Sequence, residues 1–151
     1  NKNYKNNNLE DLPEFNTWSA LTLGLRDYFL KNSFYKIVLG LSGGIDSAVS
    51  AAIAVDAVGS KNVIGILMPS KYSSKGSIID AKKTAKLLKI KTNIFKIEDI
   101  HKVFYKNLFK NFTKKVKNIT DENIQSRIRG TILIESGPSP LSRFLEIGER
   151  I

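Results

Sequence analysis

Apolar positions recur along this chain at two different spacings, and the switches between them mark out helices and strands in turn. From Thr17 to Lys31, the residues Trp18, Leu21, Leu25, Tyr28 and Phe29 follow one another at steps of three, four, three and one, which lines one face of a helix. The stretch before it, residues 1–16, is polar, rich in asparagine and interrupted by Pro13, and reads as an exposed arm or linker. Lys36-Ile37-Val38-Leu39-Gly40-Leu41 is a short, partly β-branched apolar run that reads as a buried strand, and it empties into Ser42-Gly43-Gly44. An alanine-rich helix is expected over residues 45–58, and a second buried strand over 63–68, stopped by Pro69. The serine-rich loop to Ser77 opens another amphipathic helix through Leu88, and Asn93 to Glu98 reads as a third, weaker strand.

Two further helices follow. Asp99 to Phe112 carries Ile100, Val103, Phe104, Leu108 and Phe112 on what reads as one core-facing stripe. Thr120-Asp121-Glu122-Asn123 supplies a cap and first-turn acids for the next helix, whose Ile124 and Ile128 are expected in the core while Arg127 points elsewhere. Strands alternating with helices at these intervals predict right-handed βαβ crossovers and an α/β fold, a Rossmann-like parallel sheet with flanking helices.

The chain has 151 residues and a mass of 16.9 kDa, with 42% hydrophobic residues, which suits one domain with a sizeable core. No stretch reaches the roughly 20 apolar residues of a membrane span, and the first eight residues lack the apolar centre of a signal peptide. There is no cysteine, which excludes disulfide scaffolds and cysteine nucleophiles, and a cytoplasmic location is the expectation. The formal charge is +10. The lysines are scattered among many asparagines and isoleucines, so the charge reads as coding bias on solvated faces, and neither nucleic acid nor a membrane is the expected partner.

The strongest chemical signal is Ser42-Gly43-Gly44-Ile45-Asp46-Ser47, placed between the first strand and its helix. Paired glycines allow a sharp bend and close backbone approach, while successive amides and a helix N-terminus converge at the carboxyl end of the strand. That arrangement suits phosphate. Ser42 and Ser47 add hydroxyls, and Asp46 puts a carboxylate where it would repel phosphates unless a divalent cation lay between them. A magnesium nucleotide is the inference. The turn ends in neither Gly-Lys-Ser/Thr nor the G-x-G-x-x-G spacing.

The turn resembles instead the pyrophosphate loop of the N-type ATP pyrophosphatases, with SGGxDS complete from Ser42 to Ser47. Met68-Pro69-Ser70-Lys71-Tyr72-Ser73-Ser74 and Asp121-Glu122-Asn123-Ile124-Gln125-Ser126-Arg127-Ile128-Arg129-Gly130 narrow the resemblance to the NAD synthetases, the first run being closer to the glutamine-dependent class. GMP synthetase and argininosuccinate synthetase share the glycine turn but not the second run. The resemblance implies an adenine nucleotide alpha hydrolase-like fold and ATP-dependent amidation of deamido-NAD to NAD through an adenylated intermediate.

Residue by residue, it implies that Gly40, Leu41, Ser42, Gly43, Gly44, Ile45, Asp46 and Ser47 cradle ATP, with Asp46 holding magnesium and Asp46 and Ser47 serving the chemistry. Met68 corresponds to the adenine site, and Asn123 with Arg127 to the deamido-NAD site. Plain readings stay open for others: Ser73 and Ser74 as loop residues, Arg129 as a surface charge, and the lone His101 as a helix-face residue. Family members are homo-oligomeric, and the glutamine-dependent ones draw ammonia from an upstream glutaminase domain with a cysteine nucleophile; ammonia is therefore expected from outside this cysteine-free sequence.

The resemblance extends over residues 17–134. Family members then continue into a strand and a TTGNKSE-type motif whose glutamate completes the magnesium site, whereas this sequence reads Ile132-Leu133-Ile134-Glu135-Ser136-Gly137-Pro138-Ser139-Pro140. The last 21 residues hold no Lys or Asn, so residues 135–151 are expected to be an atypical tail. With the C-terminal part of the fold missing, the sheet is expected to end early with an apolar edge uncovered, and the chain alone is expected not to make NAD at a useful rate. A magnesium-ATP-binding module without turnover is the competing reading, and a basic nucleic-acid-binding fragment comes after it.

Overall fold

A computed structural model describes residues 12–70, 73–109, 119–135 and 144–147. Helix α1 (Pro13–Lys31) begins four residues before the expected Thr17, because Pro13 starts it. A proline with fixed φ and no N–H fits the first helical position, where an amide would have no intrahelical partner. The expected arm over 1–16 therefore loses its last residues to α1; residues 1–11 lie outside the described part. Only Phe29 of the expected apolar stripe is buried, while Leu21 and Tyr28 each keep 52% of their surface exposed.

Strand β1 (Lys36–Gly40) follows and has its three central residues buried. Helix α2 (Ile45–Val58) turns Ser47, Ala51, Ala54 and Ala57 inward, and these small side chains let it lie close on the sheet. Gly59, at φ +83°, ends it, and a short 3-10 turn leads into β2 (Val63–Leu67). Helix α3 (Lys75–Leu87) crosses to β3 (Lys91–Ile94), two residues earlier than the strand expected over 93–98. All four β3 residues are exposed, as on a sheet edge, so burial gives that strand no pattern to read. Past the strand, Phe95 N–H still donates to Leu67 O at 2.9 Å, and Ile97 is buried just before α4 (Glu98–Phe109).

Helix α4 is turned against the expectation. Ile100, Val103 and Phe104 face outward at 41%, 58% and 52% exposure, while His101 is buried and Glu98 and Tyr105 are half-buried. Periodicity located the helix but not the face that packs, because the stripe of His101 and Tyr105 has the same one-turn spacing. The side chain of Leu108, and Phe112 altogether, lie outside the described residues. Helix α5 (Ile119–Glu135) buries Ile124 and Ile128 and exposes Arg127, as expected.

The sheet is parallel, in the order β3-β2-β1-β4. Its fourth strand, β4 (Phe144–Ile147), comes from the expected tail and pairs with β1 in the register Lys36 with Phe144 through Leu39 with Ile147. The tail thus contributes a strand beside β1, and among the described residues the sheet ends at β4. Alternate residues of β1 go to opposite faces: Ile37 and Leu39 join a core with α1, α2 and α3, while Val38 packs with Ile66 and Leu133 of α5. Burial on both sides explains why β1 and β2 read as continuous apolar runs. No helix among the described residues is long and apolar enough to cross a membrane.

Candidate functional site

The chain leaves β1 beside β2 on one side and β4 on the other, so connections diverge at the carboxyl end of β1. In parallel α/β sheets that divergence opens a crevice for ligands. Leu41 still belongs to the ladder, donating its N–H to Ile66 O at 2.8 Å, and is buried. The turn from Ser42 onward then rises out of the sheet.

Ser47 is the hub of that turn and is 7% exposed. Its hydroxyl donates to Gly44 O at 2.9 Å and accepts from Ser42 N–H at 3.3 Å and from Ser42 Oγ at 3.1 Å. Ser42 Oγ in turn accepts from Gly44 N–H at 3.2 Å. Each hydroxyl proton has one acceptor, so the turn is already in shape before a ligand arrives. Gly43 sits at φ +88°, and a Cβ there would lie 2.8 Å from the carbonyl carbon of Ser77, in the first turn of α3. Only glycine satisfies both the backbone angle and that approach.

Helix α2 has no side-chain cap at its N-terminus. The amides of Ile45, Asp46 and Ser47 therefore have neither an intrahelical acceptor nor a capping side chain, which makes them donors for an anion at the positive end of the helix. Ser42, Gly44, Ile45 and Asp46 are all exposed, so this donor set faces solvent. The Asp46 carboxylate stands in the first turn of α2. Among the described residues no three carboxylate, imidazole or thiol groups converge to hold a metal. One exposed carboxylate beside free helix amides does suit magnesium carried in with a phosphate, since that ion takes one or two protein carboxylates and fills its remaining positions with phosphate oxygens and water.

The remaining expected residues fall nearby in the fold or on α5. Gly40 ends β1, and a Cβ on it would lie 3.5 Å from Met68 Cε and 3.8 Å from Leu133 Cδ1. Met68, half-buried after β2, packs against both the Val38–Ile66–Leu133 cluster and the Ile97–Ile124–Ile128 cluster. It thus bridges the end of the sheet to α5. Asn123 and Arg127 are exposed on α5, and no hydrogen bond among the described residues joins them to the glycine turn.

Two buried polar residues were not singled out for what they are. Gln125 is 6% exposed, and its Oε1 accepts from Arg129 Nη2 at 3.5 Å. His101, read as a helix-face residue, is 7% exposed on α4, with its ring 6.1 Å from that of Tyr105. The signal for Gln125 was its place beside Ile124 and three residues before Ile128, inside the inward stripe.

A parallel sheet with SGGxDS at the point where its connections diverge defines a nucleotide-binding protein of the Rossmann-like, pyrophosphate-loop class. The chain belongs to the NAD synthase family, whose model matches residues 17–140. It is 45% identical to the glutamine-dependent NAD(+) synthetase of Aquifex aeolicus over 134 residues, 87% of this chain and 24% of that protein. It is 50% identical to the Thermotoga maritima protein of the same name over 115 residues, 76% of this chain and 20% of that one. The solved structure of the Acinetobacter baumannii glutamine-dependent NAD+ synthetase in complex with adenosine diphosphate superposes with a TM-score of 0.79 at 36% identity, covering 84% of this chain and 24% of that one. The chain thus spans about a fifth to a quarter of the length of these relatives.

Proposed function

We propose that this chain carries the ATP-binding part of a ligase that converts deamido-NAD to NAD. The observation that carries the reading is the Ser42–Ser47 turn, held in shape by its own hydroxyls and presenting the uncapped amides of α2. Those amides receive the ATP phosphates, while the Ser42 hydroxyl, donating to Ser47 Oγ, holds the turn that presents them. Met68, between the end of the sheet and α5, offers a polarisable apolar surface to the adenine ring. Asn123 and Arg127 bind deamido-NAD, Arg127 by neutralising its phosphates.

The nicotinate carboxylate attacks the α-phosphorus of ATP, the bond to the β-phosphate oxygen breaks, and pyrophosphate leaves with the electron pair. Ammonia then attacks the carbonyl carbon, AMP departs with the former carboxylate oxygen, and a proton is lost from nitrogen to give the amide. The protein's share is alignment and charge neutralisation by fixed donors, with no covalent enzyme intermediate. Magnesium held by Asp46 would supply further neutralisation of the phosphate oxygens when bound. Ammonia comes from outside this cysteine-free chain.

The test is calorimetric titration of the chain with ATP and GTP, each with and without magnesium, followed by deamido-NAD and xanthosine monophosphate. Magnesium-enhanced binding of ATP and selective binding of deamido-NAD are expected. Absence of ATP binding, or preference for xanthosine monophosphate, overturns the reading. ATP binding with no uptake of deamido-NAD leaves a magnesium-ATP-binding module.

A further inference from the structure

Helices α2 and α3 both start at the carboxyl end of this sheet, and their first turns are finished differently. Helix α2 has no side-chain cap, whereas α3 is capped by Ser74, whose Oγ accepts from Ser77 N–H at 3.0 Å. Ser74 Oγ and Ser77 Oγ are also hydrogen-bonded at 2.8 Å. The amide that α3 could have offered to an anion is therefore engaged by its own serine. Its first turn does something else: the Ser77 carbonyl group abuts Gly43, so closely that a Cβ on Gly43 would lie 2.8 Å from Ser77 C and 2.9 Å from Ser77 Cα.

The segment entering α3 is pinned as well. Ser70 N–H donates to Ser73 Oγ at 3.0 Å, and Ser73 N–H donates to Ser70 O at 3.0 Å, which ties the residue before the cap back to the end of the β2 segment. Ser74 itself is extended, at φ −68° and ψ 151°, the conformation of a helix cap. A chain of contacts thus runs from Ser74 through the Ser77 peptide to Gly43 and into the phosphate cradle.

We propose that Ser74 is a positioning residue for phosphate binding: by capping α3 it holds the Ser77 carbonyl as a backstop behind Gly43, and so fixes the angle at which the turn presents its amides. This rests on the ATP-binding reading above. A glycine at positive φ has a wide range of alternative conformations, and a rigid peptide on one side removes many of them. Without the cap, the first turn of α3 frays and the backstop recedes, so part of the binding energy goes into re-forming the turn. Side-chain caps are worth about 1 kcal/mol, which corresponds to roughly a fivefold change in affinity when the loss is felt at the site.

The experiment compares the parent chain with Ser74→Ala and Ser74→Thr, titrating magnesium-ATP and inorganic pyrophosphate well below the melting temperature. Far-UV circular dichroism confirms folding of each variant. Ser74→Ala is expected to weaken both ligands by the same factor, about fivefold, and Ser74→Thr, which retains a capping hydroxyl, to restore both. A purely structural serine would lower the melting temperature and leave the two affinities as in the parent, and that result overturns the proposal. If Ser74→Ala does not fold, Ser74→Gly removes the same hydroxyl with a residue that caps tolerate better. Its ligand affinities are read in the same way, with a loss of about twofold expected in place of fivefold. A parent that binds neither ligand overturns the ATP-binding reading and this inference with it; a parent that binds both, with the variants unchanged, overturns this inference alone.

Discussion

The indole N–H of Trp18 on α1 donates to Asp56 Oδ2 on α2 at 2.7 Å. It works beside Arg26, which donates to Ala57 O at 2.8 Å and to Asp56 O at 2.9 Å. Together they clasp the carboxyl end of the helix whose amino end lies in the Ser42–Ser47 turn. A cation there also satisfies carbonyls that a helix leaves open and complements its dipole. Trp18 is the chain's one tryptophan, so its fluorescence reports this clasp. Asp56→Ala is expected to red-shift or broaden the emission and to lower stability by about 1 kcal/mol, because the bond is exposed. Urea unfolding followed by fluorescence and circular dichroism checks both; unchanged emission would show the clasp to be absent in solution.

Ser47→Ala removes the hydroxyl that holds Ser42 N–H, Ser42 Oγ and Gly44 O together. Losing a partly buried set of this kind costs about 1–3 kcal/mol. Both the urea midpoint and the affinity for ATP are expected to fall. Retention of parental affinity by a folded variant would remove Ser47 from the cradle.

Asp46 is exposed in the first turn of α2, and its replacement leaves the bonds within the turn untouched. Asp46→Asn is expected to weaken ATP binding on the order of tenfold when magnesium is present, and to leave it equal or stronger without magnesium, where the carboxylate only repels phosphate. Titrations across a magnesium series distinguish the two. Equal loss at every magnesium concentration would count against a metal role.

Asn123 and Arg127 share an exposed face of α5, about 100° around the helix from Ile124 and Ile128. Asn123→Ala is expected to cost deamido-NAD binding about 1–3 kcal/mol through a hydrogen bond buried on binding. Arg127→Ala is expected to make that binding less sensitive to salt, since a charge contact to phosphate is removed. An unchanged dissociation constant for both variants would move the second substrate away from α5.

The glycine turn was legible because every residue in it answers to a local requirement: a positive φ at Gly43, hydroxyl partners at Ser42 and Ser47, a helix start at Ile45. Elements defined by distant neighbours were harder. The outer strand β3 is exposed throughout, so Lys91 and Thr92 gave no burial alternation, and Ile97, buried beyond the strand, drew the expected boundary toward it. The orientation of α4 depends on α5, which brings Ile124 and Ile128 to Ile97 and leaves Phe104 outside. Pro13 shows that a residue which breaks helices from within also begins them. β4 went unread because four residues after a change in composition carry too little periodicity to be told from a loop.

The pairing of β1 with β4 sets an order of events during synthesis. Lys36 finds Phe144 about a hundred residues later, whereas its neighbour Ile37 meets Val63 of β2 within some thirty. A ribosome adding roughly 5–20 residues per second exposes β1, α2 and β2 several seconds before β4 emerges. Through that interval one flank of the strand beneath the cradle is unpaired and available to any other extended segment. The nascent chain therefore has a window of vulnerability that the finished fold does not, and its length scales inversely with translation speed between α2 and β4. Slow codons in that stretch would lengthen the window, and fast ones would shorten it.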